Sequence, residues 1–186
     1  MVTFMSYNST GINTIKCQWI NEICEENDVD YFSIQEHFKS TKSTDKFFRD
    51  NFRYYYSYVK NGHRSPGQDS GRAKAGLAQL STKHLAVRND RVSTHSFRIQ
   101  AQILNFQQCQ ILWINSYFPT DPQIVQNYDP GELLELHGEV EDILTNTVYT
   151  DVVWAGDLNW DMTRNSQYSK IMKNFVDKLE LEPLCQ

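Results

Sequence analysis

Between Val2 and Gln35 the chain reads strand, helix, strand, and that order sharply limits the folds open to it. Val2 to Tyr7 alternates apolar and polar residues, the period of a half-buried strand. Asn13 or Thr14 is placed to cap a helix, and Ile15, Trp19, Ile20 and Ile23 then repeat with helical period as its buried face. Asn27-Asp28 should end that helix, and Val29 to Gln35 reads as a second strand. A helix between two strands predicts a crossover, and a crossover makes the strands parallel neighbours. Asn8 and Glu36, just past the two strand ends, then lie close together at one edge of a sheet. Ligands in open α/β sheets bind at that edge.

A second stretch has the same logic. Val152-Val153-Trp154-Ala155-Gly156-Asp157-Leu158-Asn159-Trp160-Asp161 begins as a buried strand and ends in a polar turn. Strand alternation predicts that Asp157 and Asn159 point the same way, a carboxylate acceptor beside an amide. The pair suits a phosphate with a water or metal beside it, although Asp and Asn also form plain turns.

Between these stretches, Lys39 to Asn51 is expected as a loop with a helical turn near Phe47-Phe48. Phe52 to Val59 and Gly76 to Leu80 are β-rich, and breakers such as Asn-Gly and Ser-Pro-Gly make Lys60 to Arg72 a surface loop. Val92 to Phe106 and Gln110 to Tyr117 should pair antiparallel. Pro119 and Pro122 leave the second of these as an extended loop. Asp129-Pro130-Gly131-Glu132 is a helix start, with Leu133, Leu136, Val140 and Leu144 as the buried stripe. A last helix presents Tyr168, Ile171, Met172, Phe175 and Leu179 on one face.

The 186 residues suit one domain. No apolar run approaches the ~20 residues of a membrane span, and no basic segment with an apolar stretch opens the chain as a secretion signal would. Cys17, Cys24, Cys109 and Cys185 lack metal-site spacing, which suits free thiols in a reducing compartment. The expected setting is intracellular, nuclear or cytoplasmic, and not secreted. The net charge of −5 hides an asymmetry: Lys39 to Arg98 holds 13 Lys and Arg against 4 Asp and Glu. Tyr54, Tyr55, Tyr56 and Tyr58 are interleaved with Arg53, Lys60, Arg64, Arg72 and Lys74, a pattern that fits either a polyanion-binding face or a solvated sheet face.

Four predicted strand ends now carry polar residues of complementary type: Asn8, Glu36, Tyr117 with Pro119, and Asp157 with Asn159. In this order and setting they resemble the endonuclease/exonuclease/phosphatase superfamily over essentially the whole chain. Gly156-Asp157-Leu158-Asn159 is similar to its Gly-Asp-(Phe/Leu)-Asn motif, Gln35-Glu36 to its Gln-Glu, Ser6-Tyr7-Asn8 to its first-strand Asn and Tyr117-Phe118-Pro119 to its Tyr-x-Pro. Within the superfamily the chain most resembles the endonuclease domain of non-LTR (LINE-type) retrotransposons. Gly71-Arg-Ala-Lys-Ala-Gly76 is similar to their Gly-Arg-Pro-x-Gly-Gly, with Ala73 in place of Pro and Ala75 in place of Gly, and Asn115 to Asp121 also matches.

The resemblance implies a four-layer α/β/β/α sandwich of two mixed sheets with helices outside. It implies a Mg²⁺-dependent endonuclease (Mn²⁺ also serving) that nicks double-stranded DNA by phosphodiester hydrolysis, joined to a reverse-transcriptase domain of the same polyprotein. Glu36 would be the metal ligand, Asn8 its orienting partner and Asp157 the group that places the attacking water. Asn159 and Tyr117 would hold the phosphate. Arg53, Lys60, Arg64, Arg72 and Lys74 would contact DNA. The superfamily pattern also has a later Asp and a C-terminal His, and no residue after Asp161 matches them. Residues 1–186 are therefore expected to be such a domain without its C-terminal strands. The alternatives are a truncated, catalytically inactive nucleic-acid-binding module, and a phosphatase or repair nuclease of the same fold.

Overall fold

The structure, a computed structural model, describes residues 1–64, 73–85, 87–121, 130–182 and 184. Two four-stranded sheets lie face to face. In the first, β1 (Phe4–Asn8) runs parallel to β2 (Tyr31–Gln35), which pairs antiparallel with β4 (Leu77–Thr82), and β4 with β3 (Tyr55–Lys60). In the second, β5 (Arg88–Val92), β6 (Ile99–Asn105) and β7 (Gln110–Tyr117) form an antiparallel run, and β8 (Asp151–Asp157) lies parallel to β7. Helices α1 (Thr14–Glu26) and α2 (Thr44–Asn51) belong to the first half of the chain, α3 (Pro130–Asn146) and α4 (Gln167–Lys178) to the second.

The layering follows from where apolar and polar residues fall. Phe32, Ile34, Ala78 and Leu80 face outward from the first sheet, onto Cys17, Ile20 and Cys24 of α1 and Phe48 of α2. Ile99, Ala101, Leu112 and Ile114 of the second sheet meet Leu133, Leu136, Val140 and Ile143 of α3 and Tyr168, Met172 and Phe175 of α4. The faces that meet between the sheets carry buried amides. Gln35 Nε2 donates to Asn115 Oδ1 (2.7 Å), and Asn115 Nδ2 to the Ala78 carbonyl (3.1 Å). Gln79 Nε2 donates to the Trp113 carbonyl (2.9 Å), and the Trp113 indole to Ser33 Oγ (3.1 Å). Buried polar groups hold only geometries in which they are satisfied, so these bonds fix one sheet against the other.

Several sequence expectations change. α1 is capped by Asn13, whose side chain accepts the Lys16 amide at 2.9 Å, and ends at Asn27 as expected. Its buried face, however, is Cys17, Ile20 and Cys24, while Ile15 is 75% and Trp19 45% exposed. The thiols are small enough to sit against the sheet, which rotates the larger residues outward. The helical turn near Phe47 is a full helix, α2, in which Phe48 is buried, with Phe52 buried just past its end. Of the strand expected from Val92 to Phe106, β6 covers Ile99–Asn105, and Val92 instead ends β5, Arg88–Val92, which pairs along its length with β6 at the sheet edge. On α3 the stripe runs through Ile143, with Leu144 half-buried. Asp129 and the residues 65–72 of the breaker-rich loop lie outside the described residues.

Candidate active site

Two crossovers build the site. β1–α1–β2 and β7–α3–β8 are both strand–helix–strand units with parallel strands, so β1, β2, β7 and β8 end at the same edge of the sandwich. Register then sets the neighbours. Asn8 is opposite Gln35, one residue before Glu36, and Tyr117 is opposite Asp157.

The two halves close on each other through side chains. Asn8 Nδ2 donates to Asp157 Oδ2 at 2.6 Å, across 149 positions of sequence, while Asn8 Oδ1 accepts the Thr10 amide at 3.0 Å. The Tyr117 phenol donates to Glu36. Burial raises the pKa of that phenol. The bond to Glu36 and the Glu36 and Asp157 charges push it the same way, and Arg98 opposes them. Tyr117 is thus a neutral donor at any physiological pH.

Backbone geometry aims these groups. Glu36 sits at φ 54°, a left-handed bend directly after β2. Such a bend is held only where neighbours over-determine it. Here the Gly11 amide bonds the Glu36 carbonyl (2.7 Å), and the His37 and Phe38 amides bond the carbonyls of Gly76 (3.2 Å) and Ala75 (3.0 Å). Ala75, in the place where the resembling motif has Gly, carries a left-handed φ of 55°. The substitution thus leaves the backbone shape in place, at the steric cost a Cβ brings there.

Asp157 and Asn159 do not point the same way by strand alternation. β8 stops at Asp157, and Asn159 turns into the left-handed region at φ 48°. Its amide N–H donates to Asp157 Oδ1 (3.0 Å), and its side-chain Nδ2 donates to the Phe118 carbonyl (2.8 Å). Asp157 therefore has one donor on each carboxylate oxygen, and Asn159 keeps one amide hydrogen and its Oδ1 for a ligand.

Of the expected DNA contacts, Arg53 and Lys74 are exposed. Arg64 donates from Nε to Ser40 Oγ at 2.7 Å. Arg72 lies outside the described residues. Lys60 turns inward: its ammonium meets Thr94 Oγ1 (2.5 Å), the Ile99 carbonyl (2.9 Å) and the Ser96 carbonyl, joining β3 to the approach to β6. Desolvation lowers its pKa. Its charge is engaged by these oxygens rather than displayed to solvent.

The residue that sequence reasoning missed is Arg98. Its guanidinium lies 5.1 Å from the Tyr117 ring centre, and Nε donates to Glu132 at 2.6 Å. In sequence Arg98 is only the last cation of the basic window. Its place beside Tyr117 comes from the β6–β7 register, through the Tyr117 amide bonded to the Arg98 carbonyl (2.9 Å). Among the described residues, no histidine hydrogen-bonds to the cluster. His37 is held by the Lys60 carbonyl (3.1 Å) and the Lys39 amide (3.0 Å), and His137 is stacked on Phe175 at 3.8 Å.

No protein-family model and no curated protein sequence matches the chain. Solved structures do. The endonuclease domain of TRAS1, a telomere-specific non-LTR retrotransposon, is 12% identical with a TM-score of 0.68, over 97% of this chain and 73% of that one. The AP endonuclease LMAP from Leishmania major is 16% identical with a TM-score of 0.66, over 95% of this chain and 66% of that one. The catalytic domain of Xenopus laevis APE2 is 18% identical with a TM-score of 0.63, over 92% and 67%. This chain thus spans about two-thirds to three-quarters of those chains. All three belong to the endonuclease/exonuclease/phosphatase superfamily, and the α/β/β/α sandwich of this chain is that superfamily's fold.

Proposed function

We propose that this chain is a divalent-metal-dependent DNA phosphodiesterase of the endonuclease type, from a non-LTR retrotransposon polyprotein. The observation that carries the reading is the bond between Asn8 and Asp157, which brings the ends of both sheets onto the Glu36–Tyr117 pair. The retrotransposon setting is supported by the motif resemblances and the likeness in fold to the TRAS1 domain. There the nick would serve a reverse-transcriptase domain of the same polyprotein, acting on nuclear DNA.

The donor set suits Mg²⁺, with Mn²⁺ as a substitute. Glu36, Asp157 and Asn8 offer hard oxygens, and Mg²⁺ takes one or two carboxylates and completes its shell with water and phosphate. When bound there, the ion would polarise the scissile phosphate and neutralise the leaving oxygen. The chain's own residues do the rest. Asn8 and the Asn159 amide hold the Asp157 carboxylate from two sides, so its remaining lone pairs can orient a water for attack on phosphorus and accept its proton. The free amide hydrogen of Asn159 donates to the phosphate as negative charge builds, and the Tyr117 phenol, its one hydrogen given to Glu36, holds that carboxylate in place beside it. Arg98 adds positive charge behind Tyr117.

A second reading, a DNA-binding module without catalysis, is favoured by the lack of an imidazole in the cluster among the described residues. Nicking of supercoiled plasmid decides between them. Mg²⁺-dependent nicking that Glu36→Ala and Asp157→Ala both lose, with unchanged circular dichroism, is expected. An inert chain that binds duplex DNA in a salt-sensitive way would overturn the enzyme reading in favour of the binding module.

A further inference from the structure

A cleft of about 390 Å³ opens beside the candidate active site, between the turn that follows Asn159 and the outer side of α4. Its volume lies in the ~300–1,000 Å³ range of small-ligand sites. One wall is apolar: Trp160, Met162, which is 50% exposed, and Val176. The opposite rim is cationic. Lys170 and Lys173 stand three residues apart on α4, on one face of the helix. Both are exposed, and neither ammonium has a partner among the described residues. Arg164 also lines the cleft and is paired with Asp161 at 3.6 Å, and Asp177 is the one carboxylate of the lining among the described residues.

The walls are fixed before any ligand arrives. Asp161 Oδ1 accepts the Thr163 amide (2.9 Å) and hydroxyl (2.6 Å), which shapes the turn. Ser169 Oγ donates to the Asp161 carbonyl at 3.0 Å, which ties the turn to α4. The Tyr168 hydroxyl lies 2.9 Å from the Leu158 carbonyl, so the same helix is tied to the Asp157 strand end. Trp160 is half-buried, and its indole N–H is shut away from solvent with no hydrogen-bond partner among the described residues, so the ring offers the cleft apolar surface rather than a donor. An apolar wall of Trp160 and Met162 beside two exposed ammonium groups matches a flat heteroaromatic ring carrying an anion.

We propose that this cleft binds one unstacked nucleotide of the DNA strand that passes the Asp157 cluster, its base against Trp160 and Met162 and its phosphate against Lys170 and Lys173. The inference rests on reading that cluster as a phosphodiester-cleaving site. It adds a preference: the chain grips DNA more tightly where a strand is frayed or single-stranded than where it is fully paired. Stacking a base on an aromatic side chain is worth about five-fold or more in affinity. Each phosphate neutralised on a single strand adds ~0.7 to the salt slope.

The test compares a labelled short duplex with the same duplex carrying a single-stranded thymidine tail, by fluorescence anisotropy in EDTA so that no turnover occurs. The wild-type chain should bind the tailed DNA about five-fold or more tightly. Trp160→Leu should abolish the preference. Lys170→Ala with Lys173→Ala, both exposed and safe for folding, should halve it or more and lower the salt slope by ~0.7. Trp160→Phe should keep most of the preference and lose the tail-dependent quenching of tryptophan emission. Equal affinity of the wild type for both DNAs, or a preference untouched by these variants, overturns the proposal. Plasmid nicking is scored separately. Tail preference without nicking keeps the cleft and sinks the nuclease reading, and nicking without tail preference sinks the cleft alone.

Discussion

Gly156 precedes Asp157, and replacing it with Ala should damage stability more than a methyl added at the other described glycines of this chain. Its φ is 143°, a region that a Cβ disfavours. A Cβ there would stand 2.1 Å from the Ser116 carbonyl oxygen and 2.8 Å from the Ser116 nitrogen. Those atoms cannot move aside cheaply, because Ser116 is the register partner of Gly156 in the β7–β8 ladder. Backbone strain at such a position is about 1–3 kcal/mol, and overpacking adds about 1–3 kcal/mol. The lost flexibility of the unfolded chain returns roughly 0.5–1 kcal/mol. The net loss is about 1–5.5 kcal/mol, against a total stability of ~5–15 kcal/mol for a domain. With a urea m-value of about 2 kcal/mol/M, the unfolding midpoint should fall by roughly 0.5–2.8 M. Gly138, inside α3, is the control, because a Cβ added there would meet nothing within 4 Å. Gly138→Ala should raise stability by about 0.5–1 kcal/mol through helix propensity alone. A Gly156→Ala midpoint within ~0.3 M of wild type would refute the claim that β7 holds this glycine in place.

Stability should also depend on pH through His137. Burial, between Phe118 and Phe175, pushes its pKa from 6.5 down to about 4. The unfolded chain then binds the proton more readily between those values, so stability is intact above about pH 6.5 and is lost as pH falls toward 4. His37, lowered the same way by burial, shares that window; His137→Gln should therefore flatten the dependence of the urea midpoint on pH only in part, and an unchanged slope would contradict the buried neutral imidazole. Burial raises the Cys17 thiol to about 12 and the Cys24 thiol to about 11. A thiol reagent at neutral pH should therefore label the half-buried Cys109 in the native chain and reach Cys17 and Cys24 only on unfolding; mass spectrometry of the labelled peptides shows the order. Asn8→Ala releases one side of the Asp157 carboxylate, and the nicking rate should fall about 100-fold with little change in DNA affinity. A matching loss of affinity would mean that Asn8 acts in binding rather than in placing Asp157.

The outline of this fold was legible because it rests on patterns that are local. Alternation from Val2, the Asn13 cap and the apolar run at Val152 each report a strand or helix over a few residues. Parallel pairing then follows from connectivity, and with it the shared edge that gathers Asn8, Glu36, Tyr117 and Asp157. What stayed hidden depends on partners far away in sequence. Arg88–Val92 is a strand only because β6 offers its edge, and charged side chains suit a strand that faces solvent. Trp19 reads as core by its period, yet the sheet accepts Cys17 and Cys24 in its place. Lys60 reads as a surface cation, yet oxygens from the Thr94–Ile99 region surround its ammonium.

The sequence by itself determined which residue types stand at the strand ends, and therefore what chemistry the chain can offer. Only the tertiary structure decided how they meet. The amide network of Gln35, Asn115 and Gln79 helps set one sheet against the other, and in that setting Asn8 Nδ2 lies 2.6 Å from Asp157 Oδ2. The reason is physical: periodicity encodes which face of an element is buried, whereas the distance between two side chains 149 positions apart depends on every packed and hydrogen-bonded contact between them.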